Sequence, residues 1–231
     1  MATQASTERV RVSMPVLYPS GSGCTVEIGF SADKVFVSDM AAGHTEAYLA
    51  GATDYYDHQA KRAAERFGIG YDGHSIFVLW APIDRVEGAI TAVANASVQA
   101  ASLAVLKAEE DRERRRNDEV YERVRQIFGA PSVAKIVQLE GRRAVWPAHN
   151  VVTLSQGKRA VFEFVSMHAN SIANKYMMFS DVAARDEGIA LNAVVRSLAT
   201  LGVKGGMLSD VANVIELTAS NDDFLRYARV A

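Results

Sequence analysis

From Pro82 to Phe128 the chain runs 47 residues with one glycine and no second proline. A stretch that long without a breaker can hold one continuous helix. Its composition changes along the way. Residues 85–94 are apolar and rich in alanine, residues 109–119 are dense in charge, and an apolar face returns at Val120, Val124, Ile127 and Phe128. One globular core cannot serve such a change, so the segment reads as a rod joining two domains. The expected division is residues 1–106, a charged connecting helix at 107–129, and residues 130–231. Both flanking parts carry strands followed by helices, which makes the fold class α+β with two small domains joined by the helix.

The helix has local support along its length. Ile83, Val86, Ile90, Val93 and Ser97 recur at three- and four-residue spacing and mark a buried stripe. In the charged middle, Glu110–Arg114, Asp111–Arg115 and Glu119–Arg123 are i,i+4 pairs of favourable order, each contributing about 0.2–0.5 kcal/mol. Gly129-Ala-Pro131 ends the run.

The 231 residues suffice for two small domains. A net charge of -2 argues against a general electrostatic grip on nucleic acid, but the charge is uneven. Residues 1–106 carry 7 basic and 11 acidic groups, whereas residues 126–160 carry 5 basic and 1 acidic. The single cysteine, Cys24, fits a reducing compartment. No secretory signal and no apolar run of membrane-spanning length is expected. These points together predict a cytoplasmic chain without a membrane partner.

In the first part, residues 1–8 read as a loose tail. Strands are expected over 10–17, 25–30, 34–38 and 75–80, with helices over 46–50 and 56–67. Asp39 is placed to cap the helix that follows it. In the last part, four strands over 135–139, 143–146, 151–154 and 159–165 form a meander, interrupted at Glu140-Gly141, Pro147 and 156–158. Residues 174–184 are open between strand and helix. Residues 189–201 read as a helix ended by Gly202, with a strand over 211–217 and a last helix over 222–229. Gly202-Val-Lys-Gly-Gly206 reads as a helix end entering a strand, because the phosphate-loop spacing is missing.

Few residues invite chemistry. Glu163 stands inside the apolar run Ala160-Val-Phe-Glu-Phe-Val165, where a carboxylate is costly unless paired or metal-bound. Its functional reading is the metal-binding carboxylate of a restriction-type nuclease fold. That fold expects Glu-x-Lys on the strand, and here the lysine is missing. Lys175, twelve residues on, substitutes only by migration from another element, and Asp181 is the other weak candidate. Asp54, Asp57 and His58 lie close together, and Asp72 and His74 flank Gly73. Neither set, nor any spacing of the histidines, defines a metal site. No metal, no cofactor and no catalytic residue is therefore expected beyond those weak candidates. Arg142, Arg143, Lys158 and Arg159 sit at hairpin ends and are the expected contacts for nucleic acid or an acidic protein face. In a meander they converge. Ile90 and Val93 are the expected seam of a homodimer.

The strand ending at Tyr18-Pro, the step Lys34-Val-Phe-Val-Ser-Asp39-Met, the helix ending Phe67-Gly68-Ile-Gly70 and the long closing helix resemble an uncharacterised, prophage-associated bacterial family of two domains. The resemblance implies a second domain like a degenerate restriction-type nuclease, which Val161-Phe-Glu-Phe164 and Leu201-Gly-Val203 fit. It also implies a setting among phage, plasmid and defence genes, and it supplies no catalytic residue. The expectation that follows is a non-enzymatic protein of a phage or mobile element that binds and modulates a bacterial defence complex. The alternatives are a nuclease-like protein that binds nucleic acid through its C-terminal part, with a degenerate metal site, and a structural homodimer.

Overall fold

The computed structural model describes residues 9–31, 33–186 and 188–229; the tail expected at residues 1–8 lies outside them. The chain is α+β and divides into two compact units, residues 1–111 and 112–231. The boundary falls inside a single helix. The charged stretch 107–129 is therefore shared between the units and does not form a segment of its own.

In the first unit, β1 (Arg9–Leu17), β2 (Gly23–Ser31) and β3 (Lys34–Ser38) form an antiparallel meander. Helices α1 (Ala42–Leu49) and α2 (Thr53–Phe67) follow, then β4 (Gly70–Tyr71) and β5 (Phe77–Pro82). The sheet order is β1-β2-β3-β5-β4. Alternation along the strands sends Cys24, Val26, Ile28, Val35, Val37, Phe77 and Ala81 into the core. Against them pack Tyr56, Ala60 and Ala63 of α2 and the alanine-rich start of α3 (Val86–Phe128). Pro82 is the last residue of β5, and a single turn of 3₁₀ helix at Ile83–Arg85 precedes α3, so the helix begins later than its composition suggests.

One expectation about α3, that it holds no apolar run of membrane-spanning length, is corrected here. The helical run Ile83–Phe128 is, by length and composition, apolar enough to cross a membrane. Much of its apolar stripe is internal, however: Ala89, Val93, Ala94, Ala96, Ala100, Ala101 and Ala104 are all buried in the core of the first unit. The same packing bears on the expected homodimer seam: Val93 is fully buried, and Ile90, partly buried, packs against the same core.

Asp39 does more than cap. Wholly buried, its carboxylate accepts hydrogen bonds from the N–H groups of Ala41 (3.2 Å), Gly43 (3.3 Å) and Phe77 (2.9 Å), and from Ser97 Oγ (2.6 Å). Ser97 Oγ lies 2.8 Å from Tyr18 Oη, and the Cys24 thiol donates to that phenol. Gly43 is required for this approach, because a Cβ there would stand 2.6 Å from Ser97 Oγ. Burial raises the Asp39 pKa despite these donors.

In the second unit, β6 (Val133–Glu140), β7 (Val145–Thr153) and β8 (Arg159–Phe164) form a meander of three strands where four were expected. Pro147 does not interrupt it: β7 runs through Pro147, which lies opposite Gln138. The ambiguous stretch is a helix, α4 (Ala169–Ala183), and it crosses over to β9 (Ile189–Val195), parallel to β8. Residues 189–201 are thus not a helix. Every residue of β9 is buried, as a central parallel strand covered on both faces requires. Gly202 leads into α5 (Val203–Ser209), followed by β10 (Asn213–Glu216), parallel to β9, and α6 (Asn221–Tyr227). The mixed sheet has the order β10-β9-β8-β7-β6. One face packs on α4 and α5. The other, with Val152, Phe162, Phe164 and Val194, packs on Val120 and Val124 of α3 and on Phe224.

Candidate functional site

The ladder between β7 and β8 pairs Val151 with Val161, Val152 with Ala160 and Thr153 with Arg159. Beyond Val151, side chains bridge the strands. Asn150 Nδ2 donates to Phe162 O at 2.8 Å, and the N–H of His149 donates to Glu163 Oε1. The register extends to place His149 opposite Glu163 and, on β6, opposite Ile136. Ile136 has φ 58°, a left-handed conformation costly for a β-branched residue. The sheet is thus locally irregular on both sides of His149.

Glu163 points beneath α4 and is fully buried. Lys175, 8% exposed, reaches it from α4 with Nζ 2.5 Å from Oε2, and His149 Nδ1 lies 2.9 Å from the same oxygen. The sequence therefore contains a glutamate–lysine pair, supplied by two elements. Burial alone would raise the Glu163 pKa, but His149 and Lys175 outweigh it and hold the carboxyl below its ordinary range. Both carboxylate oxygens are occupied by these donors. Among the described residues no group of three His, Cys, Asp or Glu side chains has metal-site geometry. The arrangement neutralises the Glu163 charge inside the domain. His149 was passed over in the sequence because its partner lies fourteen residues away on another strand.

Asp181 has no part in that cluster. It lies six residues along α4 from Lys175, about 9 Å of helical rise, and serves the turn between β6 and β7. Its carboxylate accepts from Trp146 Nε1 (2.8 Å) and from the N–H groups of Arg143 (2.9 Å) and Ala144 (3.0 Å). The Trp146 bond leads the interactions that depress its pKa. Gly141 must be a glycine here, because a Cβ would collide with the Asp181 carboxylate.

Around this pinned turn lies a cleft of about 350 Å³, lined by Arg142, Arg143, Trp146, Tyr176, Met177 and Ser180, with Asp181 at its wall. Two of the four expected basic contacts therefore share a concave surface with two aromatic rings. The other two do not join them. Lys158 and Arg159 follow the far end of β7, a nine-residue strand about 30 Å long, and Arg159 is paired with Asp186 at 2.7 Å. The expected convergence of all four fails because one strand separates the two turns.

Compared with protein-family models, curated proteins and solved structures, the chain has no match.

Proposed function

We propose that this is a non-enzymatic binding protein that holds a protein partner in the cleft between the β6–β7 turn and α4. The observation that carries the reading is the make-up of that cleft. Arginine, tryptophan, tyrosine and methionine are the side chains enriched at protein interfaces, and Trp, Tyr and Arg supply most hot spots. Arg142 and Arg143 favour an acidic segment of the partner. The resemblance described above extends the proposal to a cytoplasmic protein of a phage or mobile element and to a bacterial defence complex as the partner.

The test is affinity capture from a nuclease-treated bacterial lysate with wild type and with Arg142→Glu and Tyr176→Ala, both of which leave the bonds to Asp181 intact. A stoichiometric protein retained by wild type and reduced at least tenfold by both variants is expected. Equal recovery by all three proteins would sink the reading.

A second reading, a nuclease-like domain, is favoured by the contact of Lys175 with Glu163. Its discriminating result is Mg²⁺- or Mn²⁺-dependent cleavage of DNA or RNA by the wild type, abolished in Glu163→Gln.

A further inference from the structure

The sheet of the first unit has a second face, opposite its helices. In register across four strands, Arg9 lies opposite Gly29, Gly29 opposite Phe36, and Phe36 opposite Trp80. The Phe36 and Trp80 rings are 5.0 Å apart, and Trp80 is 58% exposed. Burying a tryptophan is strongly favourable, so a large exposed indole on a strand has not been used by the fold. Phe36 has a structural task in addition, since the Gly29 beside it is buried while carrying no side chain. The exposure of Trp80 has no such account.

Cations frame this aromatic pair. Arg9 ends its row; Arg11 belongs to the next row on one side, opposite Glu27, and Lys34 to the next row on the other, opposite Pro82. Arg9 and Arg11 are about two-thirds exposed and share Glu27, at 2.8 and 3.6 Å. Glu27 is the one acidic side chain that the described strand residues contribute to this face. On the strands themselves three cations stand against one carboxylate, while the exposed Asp33 and Asp84 lie in the turns next to Lys34 and Pro82.

We infer that this face binds single-stranded nucleic acid, with bases stacked on Trp80 and Phe36 and phosphates held by Arg9, Arg11 and Lys34. Exposed aromatic rings on a sheet offer π-faces to unpaired bases of any sequence, and flanking cations follow the backbone. A duplex keeps its base faces stacked and has no use for the rings. Four strands at about 4.8 Å spacing give a row about 14 Å long, a platform for two or three bases. The surface is independent of the cleft in the second unit.

The test is fluorescence anisotropy with labelled fifteen-nucleotide oligo(dT) and oligo(U), and a duplex of the same length, at 50 and 200 mM salt. The single strands bind the wild type more tightly than the duplex. Trp80→Ala weakens them about tenfold, and Trp80→Phe, which keeps a ring and guards against a folding defect, recovers most of that loss. Arg11→Ala makes the dependence of log K on log salt shallower by about 0.7. Arg142→Glu, in the other unit, leaves oligonucleotide binding unchanged. No binding at 50 mM salt, or equal affinities for wild type and Trp80→Ala, overturns the proposal. So does a dimer seen by sedimentation at the assay concentration and lost in Trp80→Ala, which would assign the face to a second copy of the chain.

Discussion

Glu163 shows what a fold must supply around a carboxylate set in an apolar strand. A carboxylate in an apolar strand must be neutralised, and Lys175 and His149 do so from α4 and β7. Lys175→Met leaves a buried charge without its lysine partner and should cost the second unit about 3–5 kcal/mol. Replacing both, as Glu163→Gln with Lys175→Met, should restore most of that stability in urea titrations. The pair also sets an acid response. The folded pKa of Glu163 is depressed, so its stabilisation is present above the ordinary glutamate value near 4.3 and is lost as pH falls through the lower folded value. Stability curves of the wild type should therefore drop below about pH 4.3, and the double variant should drop less. The pairing was legible in the sequence as a need for a partner. Its identity was not, because twelve residues and a crossover separate the two side chains.

At the scale of elements, the reading succeeded where the period of the pattern was unambiguous and failed where burial erased it. The alternation in β2 and β3 and the three- and four-residue stripe of α2 are amphipathic and were placed correctly. β9 is buried on both faces, so Leu191, Val194 and Val195, with Leu198 just beyond the strand, gave a false helical spacing. Pro147 looked like a break, yet β7 continues through it. Of the residues that line the cleft, Arg142 and Arg143 are legible from their turn, whereas Tyr176 and Met177 come from α4, a stretch open between strand and helix. For α3 the stripe was visible but its destination was not, since a dimer seam and an internal core share the same periodicity. Val93→Asp distinguishes them. The buried position predicts loss of the folded first unit by circular dichroism, whereas a seam would yield a folded monomer.

Across the whole molecule, two units with separate cores carry buried carboxylates of opposite temper. Burial raises the Asp39 pKa, so the first unit gains stability as pH falls through that raised value. The second unit loses stability when Glu163 is protonated. Denaturation should accordingly show two transitions that shift in opposite directions as pH falls below about 4.3. Asp39→Ala, which strands the N–H groups of Ala41, Gly43 and Phe77, should lower one transition by about 3 kcal/mol and leave the other in place.

The thiol of Cys24, sealed in the first core with its pKa raised by burial, makes the native chain its own chronometer. As the sole cysteine, it is slow to react with a maleimide or disulfide reagent while that core stays shut. The rate of labelling then counts the openings of one half of the molecule, with no engineered probe and no signal from the other half.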